Sequence, residues 1–162
     1  MLDTRTRKLT LAGIFVAAAV LGGVFSFPVL GSRCAPMQHL VNILAAVFLG
    51  PLWGVGVAFS ASVLRNIAGL GSLMAFPGSM IGALLCGLAY HYTKRLELTC
   101  IAEALGTGIL GALAAYPVAA FLMGLNPASY TVYIVPFLIS TGAGSMLAYL
   151  ALRFLLPKLR KQ

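Results

Sequence analysis

"LTLAGIFVAAAVLGGVFSFPVL", residues 9–30, runs through roughly 22 positions without a charged side chain. Arg5, Arg7 and Lys8 stand just before it, so the segment has the basic head and apolar body of a secretion signal. The apolar part of such a signal is only about 7–15 residues long. Crossing a bilayer as helix takes about 20 apolar residues, and this stretch has them. It reads as a retained membrane helix, and the rest of the chain is of the same kind.

Of the 162 residues, 60% are hydrophobic and 9% charged, with a mean hydropathy of +0.99. A soluble domain carries about 25% charged residues, so composition places the chain in a lipid bilayer. The net charge of +8 suggests nucleic acid only until positions are read. The cations sit in short flanks of apolar runs: Arg5, Arg7 and Lys8; Lys94 and Arg95; Arg153, Lys158, Arg160 and Lys161. Charges so placed set topology and leave no basic face for nucleic acid.

Turn residues cut the chain into six apolar pieces, near 9–30, 37–49, 51–68, 77–92, 101–124 and 132–156. Each must satisfy its own backbone in lipid, and no alternating period suggests a barrel, so all six are predicted to be helices. The expectation is an all-α integral membrane protein, one domain over 1–162, built as a six-transmembrane-helix bundle. Six spans put both termini on one side with all the flanking cations, which the positive-inside rule makes cytoplasmic. Only Arg33 and Arg65 fall at the opposite ends.

The second piece is short, at about 20 Å of helix against a hydrocarbon core of about 30 Å. Interrupted or short spans are the best sequence pointer to a transporter's substrate site. Its first turns carry Gln38, His39 and Asn42, with Pro36 suited to the first helical position. Polar side chains in a span can act as glue between helices. Three in five residues exceed what packing needs, which points to a ligand.

Arg65 and Asn66 close the third span. A lone arginine near a helix end can snorkel to the interface, but this one breaks the charge rule at the depth of the first cluster, so function is the stronger reading. Arg33 lies on an exposed loop and stands either as a gating residue or as a solvated cation. Gly69 and Gly71 make a flexible outer loop, and Pro77 is expected to open the fourth helix. Phe76 is a loop plug or an aromatic wall. Gly78 and Gly82 have the spacing of close helix packing.

Tyr116-Pro117 interrupts the fifth span, where a proline kinks a helix. Tyr116 is either a packed core residue or a surface on which a planar ligand stacks. Tyr130 and Tyr133 flank the sixth span as interfacial belt residues, with Tyr133 also a candidate for the wall. On the first helix Gly13, Ala17 and Ala18 form a flat surface for a neighbour.

The chemistry that is missing narrows the function. No G-x-x-x-x-G-K-[ST] loop exists to hold ATP. The acids are Asp3 in the tail, Glu97 in a cytoplasmic loop, and Glu103, expected near the inner end of the fifth span. His39 and His91 fall on opposite sides and cannot share a metal, and Cys34, Cys86 and Cys100 have no ligand spacing. No nucleophile–base set gathers on one side. No enzyme, cofactor or metal is expected. The residues describe a capture subunit that needs an external motor.

"GSRCAPMQHLVNILAAVFLGP" (31–51) and "SVLRNIAGLGSLMAFPGSMIGALLCGLAY" (62–90) carry the patterns APxQHxxN and LRNxxGxGxxxAFPGSMxGA. In these the chain resembles the ThiW family, S components of energy-coupling factor (ECF) transporters, and the resemblance covers essentially the whole chain. It implies a substrate-binding subunit in a prokaryotic plasma membrane, capturing hydroxyethylthiazole, the thiazole precursor of thiamine. The implied partners are a transmembrane coupling subunit and two ATPase subunits, docking against small residues of the first helix. Gly13 stands where alanine is typical. On this reading Gln38, His39 or Asn42 holds the ring nitrogen or hydroxyl, and Tyr116 or Phe76 covers the ring. Arg65 and Asn66 anchor the outer loop. Two alternatives are an S component for thiamine or its pyrimidine moiety, and a facilitator that works without partners.

Overall fold

The computed structural model describes residues 4–30 and 32–159. Asp3, Gly31, Arg160 and Lys161, used above for the tail, the outer loop and the charge count, lie outside the described residues. Six helical rods make up nearly all of the described chain: α1 (Thr4–Gly22), α2 (Pro36–Phe48), α3 (Pro51–Ile67), α4 (Ala75–Thr93), α5 (Leu96–Leu122) and α6 (Ile134–Leu159). Of these, α1, α5 and α6 contain stretches long and apolar enough to cross a membrane by length and composition.

The first helix ends earlier than its apolar run. Gly22 and Gly23 loosen it into a single 3-10 turn, Gly23–Phe25, and Pro28 then forbids helix. The remaining apolar residues pair instead as a short hairpin, β1 (Phe27–Val29) with β2 (Ser32–Cys34), in the register Phe27↔Cys34 and Val29↔Ser32. The expectation of helix to residue 30 is corrected here.

Proline and glycine place the next boundaries. Pro36 and Pro51 occupy the first turns of α2 and α3, where a missing N–H costs nothing. Gly50 (φ +91°) and Gly69 (φ +70°) take backbone conformations that a side chain resists. Pro77 does not open α4; the helix begins at Ala75 and Pro77 sits within its first turn. In α5 the ladder slips into π turns at Gly106–Gly111 and Val118–Leu122, the second directly after Pro117. Such slips re-satisfy backbone groups that a proline frees.

The shortest rod is the central one. α2 packs against α1, α3, α4, α5 and α6, and Val41, Ile43 and Ala45 on it are fully buried. Close approach requires glycine at two crossings. A Cβ on Gly144 of α6 would collide with the Pro36 carbonyl, and one on Gly82 of α4 with Thr107 of α5. Gly78 meets Gly111 in the same seam, the packing role that its spacing suggests.

Polarity is inverted relative to a soluble fold. Leu52, Ile67, Phe121 and Phe154 are at least 72% exposed, while Asn42, Thr99, Glu103 and Thr141 are wholly buried. A rim of aliphatic and aromatic side chains around a polar interior is what hydrocarbon solvent selects. On α1, Gly13 and Ala17 face outward and Ala18 is half-buried against the core.

Candidate ligand cavity

A cleft of about 40 Å³, partly open to the outside, lies between the hairpin, the first turns of α2 and α4 and the last turn of α3. Arg33, Gln38, His39 and Arg65 line it together with Ser72, Ser79, Thr107, Phe137 and Ser140. The short α2 makes it possible, because a helix that starts at Pro36 leaves room above its own N-terminus.

The floor is a hydrogen-bonded network around Glu103. Its Oε1 accepts from His39 Nδ1 at 2.9 Å, Asn42 Nδ2 at 3.0 Å and Thr107 Oγ1 at 3.1 Å. Thr107 shares its proton with the Gly78 carbonyl at 3.2 Å. On the other side of the imidazole, Nε2 lies 3.1 Å from Ser140 Oγ, which already accepts from the Ala35 N–H at 2.8 Å. A serine has one proton to give, so the consistent assignment puts the histidine proton on Nδ1 and lets Ser140 donate to Nε2. Each of these bonds orients the next side chain in the network.

The mouth is basic. Arg65, 3% exposed, donates to Gln38 Oε1 at 3.0 Å and to the Leu70 carbonyl at 3.3 Å. Arg33 donates to the Gly69 carbonyl at 2.9 Å. Asn66 Nδ2 bonds the Ser62 and Ser72 carbonyls. Three side chains from two elements therefore hold the 68–74 loop by its backbone. The arginine contact also fixes the Gln38 amide, leaving its Nε2 buried with no partner. Arg65 Nε, Asn42 Oδ1 and Glu103 Oε2 are likewise buried and unmatched. Buried polar groups are normally bonded; of these residues Gln38 and Arg65 line the cavity, where a ligand can supply the missing partner, and Asn42 and Glu103 lie in the network beneath it.

The structure thus brings Gln38, His39, Arg65 and Arg33 to one cavity, with Gly71 on its wall. Asn42 lies beneath, in the floor network, and Pro36 starts α2 below Ala35. Asn66 and Gly69 belong to the loop and its ties. The expected aromatic covers stand elsewhere. Phe76 sits edge-on against Phe59, centroids 5.9 Å apart, and Tyr116 stacks on Tyr130 at 3.8 Å. Tyr133 is not an interfacial belt residue but is 4% exposed, packed against Phe137 at 6.4 Å. Phe137 is the ring on the cavity wall.

Glu103, Thr107, Phe137 and Ser140 were not among the residues expected at the site. Glu103 carried a signal: it is the one acid within an apolar span, four residues before Thr107 and so on its face. Cys34 closes the hairpin side, its Sγ 3.1 Å from the Pro136 carbonyl. Burial pushes its thiol above the ordinary cysteine range.

A helical bundle that turns apolar residues to lipid and keeps a polar cleft for a small solute has the build of a membrane transport protein. The model of the thiamine-precursor transporter family, ThiW, matches residues 9–158, and the chain belongs to that family. It is accordingly a helical membrane protein that transports a thiamine precursor, a role in which no catalytic group is called for. No curated protein matches the chain.

Proposed function

We propose that the chain is the substrate-binding (S) subunit of an ECF-type importer in a prokaryotic plasma membrane, with six spans and cytoplasmic termini, and that its ligand is hydroxyethylthiazole. The observation that carries this is a cavity lined by Gln38 and Arg65, each with a buried donor that has no partner, beside the single ring of Phe137. A flat heteroaromatic with one hydroxyl arm has the matching chemistry. Gln38 Nε2 donates to its ring nitrogen or hydroxyl oxygen, His39 and Ser140 position the arm, and Phe137 covers the ring. The sequence offers no ATP-binding loop, which supports a role for a coupling subunit and two ATPase subunits. Gly13 and Ala17, turned outward on α1, supply a smooth docking face.

The test is thermal stabilisation of the purified chain by hydroxyethylthiazole, the pyrimidine precursor and thiamine in parallel. A ligand at about 100 times its Kd adds about 2.7 kcal/mol. Stabilisation by the thiazole alone supports the reading, and a larger effect of thiamine or the pyrimidine overturns it. Uptake by vesicles holding this chain without partners would contradict the subunit role.

A further inference from the structure

We propose that Arg33 and Arg65 make the cavity mouth a charge filter, which binds a thiazole most tightly when its arm is an anion, a carboxylate or phosphomonoester, and rejects an N-substituted thiazolium. The inference rests on the thiazole reading and deepens it.

Both guanidinium groups line the same cavity, one from β2 and one from α3. Every acceptor bonded to them is neutral: the Gly69 carbonyl, the Leu70 carbonyl and Gln38 Oε1. The ion pair found among the described residues is His39 with Glu103, not either arginine. Of the two acids among the described residues, Glu97 lies beside Tyr149 and Glu103 has its Oε1 occupied by His39, Asn42 and Thr107.

Arg65 is therefore a buried cation held by neutral groups alone. Taking such an ion out of water is costly unless a counter-charge offsets it, and a proline- or glycine-like structural constraint does not explain an arginine. The missing counter-charge fits in the cavity. Gln38 Nε2, 3% exposed and unpartnered on the same wall, supplies an independent donor for an anionic or oxygen-bearing arm. Ser72 adds a hydroxyl at the rim. A cationic ring entering this space meets two like charges before it meets Glu103, and like-charge juxtaposition suppresses wrong partners.

The experiment measures binding to the purified full chain by calorimetry, using thiazole and pyrimidine rings each as neutral alcohol, carboxylate and N-methyl cation. For the ring that binds, the expected order is carboxylate, alcohol, cation, with about tenfold or more between the first and second and again between the second and third. Arg33→Gln, at the exposed position of β2, shrinks the carboxylate-to-cation ratio about tenfold, and Arg65→Lys keeps the order with a smaller span. A cation that binds wild type as tightly as the alcohol overturns the filter, as does a ratio unchanged in Arg33→Gln. Should only pyrimidines bind, the thiazole reading fails while the charge order is still read on that ring. Should neither ring bind in any charge state, both fall.

Discussion

His39 Nδ1 lies 2.9 Å from Glu103 Oε1, with the two side chains 8% and 0% exposed, although they are 64 residues apart in the chain. This contact joins the mouth of the cavity to its floor. Removing the acid strands three donors at once, those of His39, Asn42 and Thr107. Glu103→Ala is expected to destabilise the protein by about 3–5 kcal/mol, the usual cost of breaking a buried pair. Glu103→Gln keeps an acceptor and should cost less. Unfolding followed by heat or by denaturant measures both.

His39→Ala should weaken ligand binding at least about tenfold, or roughly 1.4 kcal/mol. Because Glu103 orients the imidazole, the double variant His39→Ala/Glu103→Gln is expected to lose less than the sum of the single losses. A coupling of about 0.5–3 kcal/mol is usual for residues in one network. Strict additivity in a calorimetric cycle would show that the two act separately.

Phe137 and Tyr116 separate the observed aromatic wall from the expected one. Phe137→Ala should reduce affinity about tenfold through lost stacking and burial. Tyr116→Ala should change it little, because that ring is spent on Tyr130. The reverse ranking in a binding assay would move the ligand to the other end of α5.

Gly82 tests the floor from outside. A Cβ there would strike Thr107 Oγ1 and come within 2.8 Å of Glu103 Oε2, so Gly82→Ala should cost about 1–3 kcal/mol by overpacking. Gly56 on α3 has open space around its would-be Cβ. Gly56→Ala should stabilise by about 0.5 kcal/mol through lower chain entropy. Thermal melts of the two variants should move in opposite directions.

Cys34 supplies a pH readout. Its pKa is raised by burial, so at any given pH less of it is thiolate than for an ordinary cysteine, and the thiolate is the reactive form. Site-resolved alkylation should be slow at pH 8 and climb only above the ordinary thiol range. A profile rising through that range would mean that the hairpin opens readily.

The mouth of the cavity was readable in the sequence because Gln38, His39 and Arg65 stand out against an apolar background at one end of two spans. The floor was not. Counting the fifth span from Ile101 leaves Glu103 at its edge, whereas helix begins at Leu96, which carries the acid two turns inward, about 10 Å. The short α2 then lowers His39 to the same level. The aromatic wall was hidden for another reason. Two π turns in α5 break the 3.6-residue phase on which face arithmetic depends, so the position of Tyr116 in the span did not give its direction. The end of α1 was masked by composition, since residues 23–30 are as apolar as the helix before them. The Gly22-Gly23 pair and Pro28 were the signs of the hairpin.

Below the Glu103 network, Ile43, Ala46, Cys86, Ala148 and Leu152 close the bundle as a dry cluster, none more than 2% exposed. The hollow is thus a blind well, stoppered at its foot. On the proposed capture role, cargo that enters by the rim leaves by the rim, and delivery to the far compartment would call for the vessel to be tipped, not drained.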